Sequence, residues 1–190
     1  QQHILHMMKR MKLKGIIDED LVNSKLPSMY IAFPTCTFKC DKENGCQYCQ
    51  NAGLIKEANI EIEKEELIER YLKNDLSAAI VLSGLEPFDS EFDLLPFIDC
   101  LRRQYNCNDP VVIYTGYTEE ELETGNYGNN VSHVIQKQYW EMIKALGNII
   151  VKFGRYRPNE NPHLDSVLGV YLSSNNQYAK EYKNEDTQNK

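Results

Sequence analysis

The chain has 190 residues, 42% hydrophobic and 26% charged, which suits one ordinary domain with its own core and excludes wholesale disorder. Lys and Arg number 21 against 28 Asp and Glu. The resulting net charge of −7 argues against a nucleic-acid binder, whose surface must neutralise phosphates. No apolar run approaches the roughly 18–20 residues that span a bilayer, so no membrane partner is expected.

Basic Lys9, Arg10, Lys12 and Lys14 are followed by no apolar stretch before Asp18-Glu19-Asp20, so no signal peptide is expected. That places the six cysteines in a reducing, cytoplasmic compartment, where clustered Cys means metal or catalysis more often than disulfides. Four of them, Cys36, Cys40, Cys46 and Cys49, fall within fourteen residues.

In chain order, residues 1–15 read as an N-terminal extension, 16–178 as the domain and 179–190 as a polar tail. The first strand is expected at Met29–Phe33, entering the cysteine loop through Pro34. Lys64–Lys73 reads as a helix, with Leu67, Ile68, Tyr71 and Leu72 on one stripe. Ala78–Leu82 is a buried strand ending at Ser83-Gly84. A helix follows at about Phe92–Tyr105, with Leu94, Leu95, Ile98 and Leu101 apolar. Val111–Tyr114 is the next buried strand, and Asn126–Asn130 is loop-like. Gln136–Leu146 reads as a helix closed by Gly147. Ile149–Phe153 is another strand, Val167–Leu172 the last, and the chain frays from Lys180.

Strands alternating with helices predict an α/β fold with a mostly parallel sheet, whose ligand sits beyond the carboxyl ends of the strands. Three strand ends carry unusual loops, which should converge. These are the cysteines after the first strand, Ser83-Gly84-Leu85-Glu86-Pro87 after the second and Thr115-Gly116-Tyr117 after the third.

Thiolates at this spacing suit zinc or an iron–sulfur cluster. Zinc ribbons and fingers usually split their ligand pairs over a dozen or more residues, whereas here all four thiols share one loop. Its place at a strand C-terminus also favours iron–sulfur chemistry. A zinc-stabilised, non-enzymatic interaction module remains the rival. Cys100 reads as a core thiol and Cys107 as a turn residue. His133 and His163 read as structural or surface residues, and the acidic run from Glu57 to Asp75 as a solvated helix face.

Cys36-Thr-Phe-Lys-Cys40 followed by Tyr48-Cys49-Gln50-Asn51 resembles the Cys-x3-Cys-x2-Cys loop of the radical S-adenosylmethionine family. In that family an aromatic residue often precedes the third cysteine and an Asn often follows nearby. Here eight residues, Cys46 among them, separate Cys40 from Cys49. Three ligand sets are open: Cys36/Cys40/Cys49, Cys36/Cys40/Cys46 and Cys40/Cys46/Cys49. The first keeps both the first spacing and the flanking residues. Three ligands on a 4Fe–4S cluster leave one iron for the amino and carboxylate groups of S-adenosylmethionine.

Ser83-Gly84-Leu85-Glu86-Pro87 is similar to the family's Gly-Gly-Glu-Pro segment, with Ser for the first Gly and Leu85 inserted. More of the chain resembles one subfamily, the activating proteins of anaerobic ribonucleotide reductase. Twelve residues separate Val22-Asn23 from Cys36, as they do a similar pair there. Tyr114-Thr115-Gly116-Tyr117 looks like their Tyr-Thr-Gly-Tyr. Val151-Lys152-Phe153-Gly154-Arg155-Tyr156 is similar to their Val-Asp-Gly-Arg-Phe, and Ser173–Gln177 to their Gly-Ser-x-Asn-Gln. The resemblance runs in order over residues 20–178, though Ser24-Lys25-Leu26-Pro27 replaces a Gly-Pro-Gly.

The resemblance implies an incomplete, TIM-like βα barrel. It implies a cluster on Cys36, Cys40 and Cys49, with Cys46 as alternative. Ser83, Gly84 and Glu86 would contact the methionine end of S-adenosylmethionine, Tyr48 would pack by the cluster or adenine, and Asn175 would help from the last strand. The substrate would be a glycine of anaerobic ribonucleotide reductase or another glycyl radical enzyme, with flavodoxin or ferredoxin as electron donor. Length agrees: a full barrel with its own pocket needs about 250 residues. A radical enzyme acting on a small molecule or peptide is the other rival.

Overall fold

The computed structural model describes residues 10–45, 49–128 and 132–183. Its centre is a six-stranded sheet containing β2 (Gly15–Asp20), β3 (Ser28–Phe33), β5 (Ala79–Gly84), β6 (Val111–Tyr114), β7 (Ile149–Phe153) and β10 (Tyr178–Tyr182). The strand order is β10-β7-β6-β5-β3-β2. Strands β3, β5, β6 and β7 are mutually parallel, and an antiparallel strand closes each edge. Two small antiparallel pairs flank the sheet: β1 (Arg10–Leu13) with β4 (Ile60–Glu63), and the hairpin β8 (His163–Asp165) with β9 (Val170–Leu172).

The four parallel strands are almost wholly buried, as short β-branched runs in a covered parallel sheet should be. They add to the sheet in chain order, so right-handed crossovers keep their helices on one face. That face holds the main core. Ile31, Leu82, Ile113 and Val151 pack there against helices α3 (Lys64–Leu72), α4 (Glu91–Asp99), α5 (Glu119–Thr124) and α6 (His133–Ala145). The alternate residues Val81, Val112 and Ile150 face the other way, onto Leu168 and Leu172 of the β8–β9 hairpin. The hairpin thus covers part of this second face of the sheet.

The molecule is therefore a mixed α/β fold on a mostly parallel sheet. The sheet is open from β10 to β2, and no barrel closes among the described residues. Several expectations change: β1 and β2 precede the strand expected first at Met29–Phe33, and Ile60–Glu63, within the acidic run read as a helix face, form β4. Residues 10–13, assigned to the extension, form β1, whose alternate Met11 and Leu13 enter the core. The strand expected at Val167–Leu172 begins at Val170 and pairs with β8 outside the main sheet, after a turn at Gly169. Residues 179–182, read as the start of a polar tail that frays from Lys180, continue from Tyr178 as edge strand β10, where Tyr178, Lys180 and Tyr182 all bond the Glu119 carboxylate.

Candidate metal and cofactor centre

The chain leaves β3 through Pro34 and is fastened at once to the segment that follows β5. Glu86 N–H donates to Thr35 O at 2.8 Å, and Thr37 N–H donates to Asp89 Oδ2 at 2.6 Å. Phe38 turns left-handed at φ 54° and starts the short helix α1 (Lys39–Asn44), which carries Cys40. The turn folds the backbone over Cys36, whose Sγ accepts from Phe38 N at 3.2 Å. Asn51, just past Cys49 and ahead of the short helix α2 (Ala52–Lys56), donates its amide to Gly84 O at 2.6 Å. Cysteine loop and Ser83–Glu86 loop are thus joined directly.

Cys36, Cys40 and Cys49 are free thiols, and all three line one cavity of about 230 Å³ together with Ser83, Gly84 and Glu86. Gly84 has φ 91°, and a Cβ on it would lie 2.5 Å from Phe33 N. Only glycine lets this strand end lie so close to β3. Tyr48 and Cys46 lie outside the described residues. Asn175 is exposed and does not line the cavity; its neighbours Ser173 and Gln177 do.

Glu86 is buried and joins three loops. Its Oε1 accepts from Thr115 Oγ1 at 2.8 Å and Phe88 N at 3.2 Å, and its Oε2 accepts from Gly116 N at 2.8 Å. A carboxylate offers about four acceptor sites, so one is left for a further donor. Burial, then the Asp89 carboxylate nearby, pushes the Glu86 pKa well above the usual carboxylate range. Burial likewise raises the thiols of Cys36, Cys40 and Cys49. Bare thiols here stay protonated, and a bound metal would have to displace those protons.

Pairing of Tyr114 with Lys152 places a lysine in the row above the hairpin. Lys152 is buried, lines the cavity and donates to Gly154 O at 3.0 Å and Thr115 O at 3.3 Å. Burial pulls its pKa down to about 8, against the opposing pull of Glu86 and Cys40. Sequence reasoning did not assign Lys152 a role, although a lysine inside the run Ile149-Ile150-Val151-Lys152-Phe153 was a legible signal.

Among the described residues, no three His, Cys, Asp or Glu side chains are gathered to hold a single metal ion. Zinc draws its sulfurs to about 2.3 Å from one point. A cube-shaped cluster binds each cysteine through a different iron, so its sulfurs stand further apart. Three thiols around one cavity offer the donor chemistry that an iron–sulfur cluster takes. No helix among the described residues is long and apolar enough to cross a membrane.

Residues 28–167 match the model of the 4Fe-4S single cluster domain family. The match spans well over half of the chain and includes the three cavity cysteines and the Ser83–Glu86 loop. No curated protein and no solved structure matches. The chain belongs to the 4Fe-4S single cluster domain family, and the match indicates an iron–sulfur protein.

Proposed function

We propose that this 4Fe-4S single cluster domain protein is a radical S-adenosylmethionine enzyme of the glycyl-radical-activating type, with Cys36, Cys40 and Cys49 holding the cluster. The observation that carries the reading is the shared cavity of those three thiols with Ser83, Gly84 and Glu86. Sequential parallel strands, with helices on one face, also support the incomplete barrel that this reading implies. Held by Cys36, Cys40 and Cys49 and reduced by the electron donor, a cluster would supply the one electron for reductive cleavage of S-adenosylmethionine and so for hydrogen-atom abstraction from a partner's glycine.

The chain's own residues bind and orient. Asn51 ties the third cysteine's segment to Gly84 O. Gly84 and Ser83 present backbone and hydroxyl to the methionine end. Glu86 holds the strand-end loops together and keeps one acceptor site for an ammonium group. The partner is an anaerobic ribonucleotide reductase or another glycyl radical enzyme, with flavodoxin or ferredoxin as reductant.

Anaerobic reconstitution of the wild type and of single Cys→Ala variants at 36, 40, 46 and 49 tests this. The expected result is four irons and four sulfides per chain, lost in Cys36→Ala, Cys40→Ala and Cys49→Ala and kept in Cys46→Ala. Reduced protein should cleave S-adenosylmethionine and raise a glycyl radical signal on anaerobic ribonucleotide reductase. Stoichiometric zinc without iron would sink the radical reading, and cofactor cleavage without a partner radical would favour a small-molecule or peptide substrate.

A further inference from the structure

We propose that Arg155 is a positioning residue for Cys40 and sets a fixed positive charge beside its sulfur. The inference rests on the reading of Cys40 as a cluster ligand. Arg155 follows Gly154, whose φ of 99° turns the chain inward after β7. Its guanidinium is buried and grips Glu121 through two bonds, Nη1 to Oε2 at 2.9 Å and Nη2 to Oε1 at 2.6 Å. It also lies over the Tyr117 ring, 5.7 Å from the centroid. A planar fork matched to a carboxylate in this way is a rigid anchor.

The anchor holds the Cys40 turn from both sides. Lys39, just before Cys40, reaches Glu121 Oε1 at 3.5 Å. Glu43, three residues after it, lies 3.2 Å from Arg155 Nε. Asn44 donates its amide to Cys40 O at 2.9 Å and to Tyr156 O at 3.1 Å. Arg155 and Glu121 do not line the cavity, so they act on it through Cys40. A Cβ on Gly116 would sit 3.4 Å from Cys40 Sγ and 3.7 Å from Arg155 Cγ, so the guanidinium stem and the sulfur flank one bare backbone.

Two consequences separate this role from plain structural support. Reduction adds negative charge to a cluster, and nearby net charge sets its potential. Buried charges are weakly screened. Arg155→Gln should therefore shift the midpoint potential of the reconstituted protein to more negative values, and Glu121→Gln should shift it to more positive ones. Arg155→Lys keeps the charge but not the fork, and should hold the potential. In the metal-free protein, loosening the Cys40 turn without removing the charge should let iodoacetamide alkylate Cys40 roughly threefold faster or more in Arg155→Lys, with Cys36 and Cys49 unchanged.

Glu43→Gln, at an exposed residue, should produce a smaller acceleration in a chain that folds normally. Potentials that stay fixed or move in the same direction in Arg155→Gln and Glu121→Gln would overturn the electrostatic role. Unchanged Cys40 alkylation in Arg155→Lys and Glu43→Gln would overturn the positioning role. A wild type that binds no cluster would defeat the proposed function instead, and the alkylation rates would still decide whether Arg155 positions Cys40.

Discussion

Gly84 and Lys152 carry the sharpest residue-scale consequences. A Cβ on residue 84 would meet Phe33 N at 2.5 Å and Ala32 Cα at 2.7 Å, on a backbone already at φ 91°. Gly84→Ala should therefore cost about 2 kcal/mol or more, read by urea denaturation, and should also impair cluster retention. Lys152 has its pKa pulled down from 10.5 to about 8 by burial. A depressed folded-state pKa means the lysine's contribution to stability is present above pH 10.5 and is lost as pH falls through about 8. In metal-free protein, wild-type stability relative to Lys152→Met should rise by roughly 3 kcal/mol between those limits. Paired urea melts at pH 7 and above pH 10 check the sign; a difference independent of pH would show that the lysine titrates normally.

At the scale of elements, the C-terminal edge strand decides more than its polar sequence suggests. Strand β7 is buried along its length, and β10 supplies its outer hydrogen bonds. The Tyr182 ring stands edge-on to Trp140, with centroids 5.2 Å apart. Truncation after Gln177 should lower Tm by roughly 10 °C and promote aggregation, visible by light scattering, because it bares an apolar strand edge. Legibility followed burial. Val111–Tyr114 and Ile149–Phe153 coincide with their observed strands, since short apolar runs between Pro110 and Thr115-Gly116, and between Asn148 and Gly154, are cut off by turn residues before a helix could form. Helix α4 gives way to a π-helical turn at Cys100–Gln104 that its periodicity did not show. Strands β1 and β10 were missed because each is paid for by distant partners, β4 and β7, that no local window contains.

For the whole molecule, the cavity draws on the loops after β3, β5, β6 and β7, which the parallel sheet delivers to one side. A cluster bound there ties these loops together and stabilises the folded chain by mass action. Anaerobic reconstitution should raise Tm, and removal of iron by a chelator should return it to the metal-free value; an unchanged Tm would mean the loops are fully ordered without the cluster and gain nothing from it.

The sequence by itself determined the alternation of strands and helices, the cysteine loop and its iron–sulfur character, because apolar periodicity and cysteine spacing are local properties. Tertiary structure alone decided that Glu86 is engaged by Thr115, Gly116 and Phe88, that Asn175 faces solvent and that Lys152 sits beside the cysteines. It also decided the grip of Arg155 on Glu121 and Glu43. Apart from the local Phe88 bond, these contacts join residues separated by about thirty to over a hundred positions. Burial, pKa and charge pairing at such places depend on which strand ends the sheet sets side by side, which no local pattern encodes.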